Sequence, residues 1–151
     1  MLNYFDLFGL SVRYLIDENE LTVAYLKKQR ETHPDNSGNS SDSSILNLAY
    51  SVLKNPLLRA EYILSLIGKN TNTMPQYLAL KMFDLREQFA EIQSDEDKNE
   101  FVRHQQEYIT NILKILQKHK IDSDEFFNLF CEAKFIHSFL EKVKNNACNW
   151  N

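Results

Sequence analysis

LTVAYLKKQRETHPDNSGNSSDSSILNLAYSVLK, residues 21–54, is the stretch whose reading decides the fold. Pro34 disfavours a helical backbone at His33 and fixes its own φ, so the helical segment 21–32 ends here and the imidazole and carboxylate of His33-Pro34-Asp35 sit on a constrained loop. Upstream, Asp17 followed by Glu20 predicts a capping-box-like start. Leu21, Ala24 and Tyr25 form an apolar stripe, and Lys27, Lys28 and Arg30 lie outside it and can share a broad basic face. Downstream of a loop rich in Asn, Ser and Gly, residues Ile45, Leu48, Ala49, Val52 and Leu53 follow the i, i+3, i+4, i+7, i+8 template. This predicts a second helix, capped by Asp42 or Ser43 and ending before Pro56. His33 and Asp35 stand two apart across a proline, a spacing that does not by itself set a carboxylate against an imidazole. With no nucleophile or third group evident, the loop suits docking better than catalysis, and the chain is expected not to be an enzyme.

Composition narrows the function classes. The chain has 151 residues, enough for one medium domain or two small ones, and only 3 Gly and 3 Pro interrupt it. A net charge of -4 offers no electrostatic case for a nucleic-acid partner, and no apolar run approaches the roughly 20 residues that span a bilayer. Cys131 and Cys148 are far apart with no C-x-x-C partner, and His104, His119 and His137 share no ligand spacing, so no metal site, disulfide or cofactor is expected.

Further out, Tyr4, Phe5, Leu7 and Phe8 predict a short first helix ending near Gly9. Pro56-Leu57-Leu58-Arg59-Ala60-Glu61-Tyr62-Ile63-Leu64-Ser65-Leu66, with Pro56 in the first turn and Gly68 after the last apolar residue, predicts another helix. His33-Pro34-Asp35 behind a basic helix resembles the signature of a J-domain. The fuller Pro56–Leu66 string, the opening Tyr4-Phe5-Asp6-Leu7-Phe8-Gly9-Leu10 and Leu85-Arg86-Glu87 resemble the HscB family, the J-type co-chaperones of iron-sulfur cluster assembly, over nearly the whole chain. The resemblance implies an all-α fold, an N-terminal J-domain helical hairpin followed by a C-terminal three-helix bundle. It also implies two partners: a DnaK-class (HscA-like) ATPase chaperone, docked through Lys27, Lys28, Arg30, His33, Pro34 and Asp35, and an iron-sulfur cluster scaffold protein (IscU-like). In J-proteins the docked loop accelerates the chaperone's ATP hydrolysis. Asp35 is expected to accept from a cationic group, His33 to support the loop and Pro34 to set its shape. Asn36 departs from the lysine common after the triplet. A general J-protein or helical adaptor with another client is the alternative. A start directly at the J-domain favours a bacterial cytoplasmic form, with a mature mitochondrial chain as the other option.

The C-terminal half reads as three helices. The domain boundary is expected after residue 70, with 71–74 as a linker and 75–151 as the second domain, opened by Pro75 at a first helical position. Leu78, Met82, Leu85, Phe89 and Ile92 keep one stripe, whereas Leu80, Phe83 and Glu87 fall on the opposite side. The next helix starts at Ser94, carries acids in its first turn, and is apolar through Phe101, Val102, Tyr108, Ile109, Ile112, Leu113, Ile115 and Leu116, with Lys118 and Lys120 suiting its end. Asp122 and Glu125 suggest the cap of the last helix, whose core side is Phe126, Leu129, Phe130, Ala133, Ile136, Leu140 and Val143, leaving Phe135 outside. The leftover apolar residues fit a binding surface or a fourth packing contact about equally. Matched position by position, the resemblance assigns scaffold binding to Leu80, Phe83, Asp84, Glu87 and Phe135, with Ala79 in line but smaller than the leucine typical of that site.

Overall fold

The computed structural model describes residues 3–31 and 40–148, the side chains of 40–42 and 146–148 excepted. Among these residues it is built from helices alone: α1 (Tyr4–Leu7), α2 (Glu18–Glu31), α3 (Ser40–Lys54), α4 (Pro56–Leu66), α5 (Gln76–Glu91), α6 (Asp95–Leu116) and α7 (Asp124–Cys148). The all-α class read from the sequence is the one observed. The chain divides into two compact units, Met1–Ile67 and Gly68–Asn151.

In the first unit, α1 is held by a reciprocal cap: the Asn3 side chain accepts from the Phe5 and Asp6 N–H groups and Asp6 accepts from the Asn3 N–H. Gly9 then turns the chain at φ 68°. The Tyr4 N–H donates to the Tyr62 hydroxyl at 2.9 Å and the two rings stack at 4.4 Å, so α1 is tied to α4 while Phe5 is buried. Asp17 caps α2 by accepting from the Asn19 and Glu20 N–H groups. The Glu20 carboxylate pairs with Arg13 at 3.2 Å.

The α3 reading needs two corrections. The helix already starts at Ser40, so Asp42 and Ser43 lie inside it and do not cap it. Its buried stripe is Leu46, Ala49 and Leu53, while Ile45 and Leu48 are exposed. A contact made far along the chain sets this phase. The Tyr25 and Tyr50 rings stack at 4.1 Å, the Tyr25 hydroxyl donates to Asn47 at 2.9 Å, and Tyr50 meets the Thr22 hydroxyl at 3.2 Å. With Tyr50 against α2, the residues sharing its side of the helix become the core.

Asn55 caps α4, accepting from the Leu57 and Leu58 N–H groups, and Pro56 occupies the first turn where its missing N–H costs nothing. Arg59 is buried. Its Nη1 donates to the Leu53 carbonyl at 2.7 Å, supplying a donor and a positive charge at the C-terminal end of α3, and the guanidinium lies 5.3 Å from the centre of the Tyr14 ring. Burial pushes the Tyr14 hydroxyl up to about 12 against the opposing pull of Arg59.

In the second unit Pro75 is the residue before α5 and not its first helical residue, Ser94 caps α6 by accepting from the Asp97 N–H, and α6 ends at Leu116 before Lys118 and Lys120. The capping oxygen of α7 belongs to Ser123, which accepts from the Phe126 N–H, and not to Asp122. Leu78 and Met82 of α5, Ile109, Ile112 and Leu116 of α6, and Phe126, Phe130, Ala133, Ile136 and Leu140 of α7 are buried. The main packing pair is α6 with α7, and α5 packs more sparsely on α7. Residues 68–74 attach to this unit: Thr71 is buried, Lys134 Nζ donates to its carbonyl at 2.8 Å, and Lys69 pairs with Asp124 at 3.5 Å.

Candidate partner-binding surfaces

The first unit presents a basic face on α2. His33, Pro34 and Asp35 lie outside the described residues. Lys27 and Arg30 line a shallow depression of about 400 Å³ together with Val23, Leu26 and Glu31. Val23 is 67% exposed and Leu26 44%, so the face has an apolar centre beside its two cations. Lys28 does not join them. It lies about 100° around the helix from Lys27, is half-buried, and pairs with Glu31 at 3.2 Å. Residues 23, 26, 27 and 30 repeat at i, i+3, i+4 and i+7, a spacing that identifies Val23 and Leu26 as part of this face once Leu21, Ala24 and Tyr25 are taken as the core side.

The second unit presents an apolar and acidic face on α5. Leu80 is 75% exposed and Phe83 60%, and Ala79, Asp84 and Glu87 are exposed as well. Leu78 and Met82 carry the buried side of the helix, and at about 100° per residue Leu80, Phe83, Asp84 and Glu87 occupy an arc centred opposite them. Exposing two large apolar side chains on one arc with two carboxylates has no packing rationale within the bundle. Phe135 is half-buried on α7. The Tyr77 hydroxyl donates to the Asn128 carbonyl and Lys81 pairs with Glu132, both across 51 residues, so α5 and α7 run parallel and the same offset sets Phe135 level with Asp84.

A polar cluster ties the three helices of this unit together. Lys81 of α5 donates to Glu132 of α7 and, at 3.1 Å, to the hydroxyl of Tyr108 of α6, whose hydroxyl in turn donates to Glu132. The Lys81 ammonium also lies 5.0 Å from the Tyr108 ring centre. The Glu132 side chain is 15% exposed and that of Lys81 50%. Burial pulls the Lys81 ammonium down, but its hydrogen bonds to Glu132 and Tyr108 and their charges outweigh this and raise it above its ordinary value. A groove of about 450 Å³ between α5 and α6 is lined by Lys81, Tyr108 and Asp84, among others, and therefore connects this cluster to the exposed α5 face.

Cys131 is buried and its thiol is pushed up to about 11 by burial, with Lys134 opposing, which makes it a poor nucleophile or ligand. Among the described residues no group of three or more His, Cys, Asp or Glu side chains is placed to hold a metal ion, and no helix is long and apolar enough to cross a membrane.

No family model matches the chain. Among curated proteins it is similar to co-chaperone protein HscB homologs from two strains of Vibrio cholerae serotype O1, at 36% identity over 105 residues, 60% of this chain and 61% of theirs. The homolog from Aliivibrio salmonicida is 34% identical over 110 residues, 64% of each chain. These matches thus span less than two thirds of the relatives' own lengths. Solved structures cover more. The chaperone HscB from Vibrio cholerae superposes with a TM-score of 0.72 at 26% identity, covering 99% of this chain and 100% of that one. The Jac1 co-chaperone from Saccharomyces cerevisiae gives 0.77 at 25%, covering 96% and 94%. Human co-chaperone protein HscB, at 0.70 and 23% identity over 97% and 82%, shares the fold.

Proposed function

We propose that this chain, a member of the HscB co-chaperone family, couples an iron-sulfur cluster scaffold protein to a DnaK-class chaperone and stimulates that chaperone's ATP hydrolysis. The observation that carries the reading is the α5 face. Leu80 and Phe83 stand out in solvent opposite the buried Leu78 and Met82, flanked by Asp84 and Glu87. A partner with an apolar patch rimmed by cations fits such a surface, and desolvated aromatic anchors supply most of the free energy of interfaces of this kind. The second surface is the α2 face of Val23, Leu26, Lys27 and Arg30, which leads in sequence to His33-Pro34-Asp35. Its cations match an acidic chaperone surface, and Lys28, turned aside and paired with Glu31, contributes less than the other two.

The chemistry belongs to the chaperone. A J-domain changes the rate of another protein's hydrolysis by binding one of its conformational states better than another, since a ligand shifts an equilibrium only through differential affinity. Holding the scaffold at the same time raises its effective concentration at the chaperone, so the two ligands act together.

A steady-state ATPase assay with purified DnaK-class chaperone, with and without the scaffold protein, tests this. Stimulation by the chain and scaffold together should exceed the sum of their separate effects. Stimulation by the chain that the scaffold leaves unchanged points to a general J-protein, and no stimulation under either condition removes the reading. His33→Gln should abolish stimulation while leaving scaffold affinity intact.

A further inference from the structure

The cluster of Lys81, Tyr108 and Glu132 sits where the candidate scaffold surface is assembled from two helices. Lys81 lies between Leu80 and Phe83 in sequence, and Glu132 precedes Phe135 by three residues, one turn of α7. Helix α5, which carries Leu80, Phe83, Asp84 and Glu87, is the lightly attached member of the bundle, and Leu78 and Met82 are its fully buried anchors. Apolar contacts alone tolerate sliding and rotation, because they have no direction. Hydrogen bonds and an ion pair do have direction, and several converging on one carboxylate specify one arrangement. Two polar ties join α5 to α7 one turn apart, Tyr77 to the Asn128 carbonyl and Lys81 to Glu132. Tyr108 locks the second of them to α6.

We infer that Lys81 and Glu132, braced by Tyr108, are positioning residues for scaffold binding: they fix the rotation and height of α5 against α7 so that Leu80 and Phe83 on one helix and Phe135 on the other form a single preorganised surface. This rests on the scaffold-binding reading of the α5 face. The benefit is entropic. An interface that is already assembled loses less conformational freedom on binding than one that the partner must draw together. In the clamp Lys81 and Glu132 act through each other, so their charge signs matter only relative to each other.

That last point supplies the test. Affinity for the purified scaffold protein is measured by calorimetry for Lys81→Glu, Glu132→Lys and the double exchange, alongside Lys81→Met, Tyr108→Phe and Phe83→Ala, with the helix content of each variant followed by circular dichroism. Each single reversal should weaken binding by about tenfold with helix content retained, and the double exchange should recover to within about threefold of the parent, because the pair is restored with its ends swapped. Lys81→Met should weaken it by about fivefold, and Tyr108→Phe, which removes the bracing hydroxyl, by less. A direct Lys81 contact with the scaffold predicts the opposite for the exchange, which would turn a carboxylate in place of the ammonium towards the partner. Failure of the exchange to restore binding therefore overturns the clamp, as do single variants that bind like the parent when Phe83→Ala does not. Unchanged binding by Phe83→Ala would instead remove the scaffold surface itself.

Discussion

Phe83→Ala separates binding from folding because so much of this side chain is in solvent. A phenylalanine side chain presents about 200 Å², and with Phe83 60% exposed, on the order of 120 Å² is available to a partner. Covering all of it is worth roughly 3 kcal/mol at about 25 cal/mol per Å². Partial coverage at a real interface brings the expected loss to about 2 kcal/mol, or roughly 30-fold in Kd. The folded chain gives up little. The residue is outside the core, and alanine is the better helix former by about half a kcal/mol, so Tm should move by less than about 4 °C. Isothermal calorimetry against the scaffold protein and a thermal melt of the same preparation check both halves. A melt lowered by about 10 °C, or an affinity within about twofold of the parent, would refute the assignment of Phe83 to an interface. The paired Leu80→Ala substitution should behave alike, because Leu80 shares the arc and is 75% exposed.

The remaining expectations concern stability. Arg59→Ala removes the donor to the Leu53 carbonyl and opens space beside Tyr14, and should destabilise the first unit by about 3 kcal/mol. Amide exchange should rise first at the C-terminal end of α3, and protection equal to the parent's there would contradict the capping role. Alkali should weaken both units for one physical reason, burial of a neutral acid. Tyr14 begins to ionise near its ordinary value of 10.0 in the unfolded chain but only near about 12 when folded, so its contribution is complete below pH 10 and is lost as the pH climbs towards 12. For Cys131 the corresponding window runs from 9.0 to about 11. Urea titrations at about pH 8 and about pH 10.5 should show a falling midpoint, and the fall should shrink in Cys131→Ala; a midpoint that rises with pH would contradict the burial argument. In a Cys148→Ser background, the Cys131 thiol should stay nearly unreactive towards a disulfide reagent at about pH 8.

Most helix boundaries are legible from local chemistry. Asp17 and Ser94 announce starts because a side-chain oxygen must satisfy the first free N–H groups, and Pro56 announces both the end of α3 and the first turn of α4. The exposed α5 face is legible for the same kind of reason. Leu80 and Phe83 violate the period that Leu78, Met82, Leu85 and Phe89 establish, and a periodicity is a property of a short segment. On α7 the Asp122-Glu125 spacing mimicked a capping box, yet Ser123, one residue later, supplies the oxygen that reaches Phe126.

What the amino-acid order determined by itself is the helical content and the amphipathic stripes of the two halves, all set by interactions within a few residues. Only the tertiary structure decided that Leu46 and not Ile45 faces the core of the first unit, and that Lys81, Tyr108 and Glu132 meet. Each of these depends on which side of a helix a distant segment packs against. The bond between Lys81 and Glu132 spans 51 residues, and a partner that far along the chain leaves no imprint on the spacing of its neighbours.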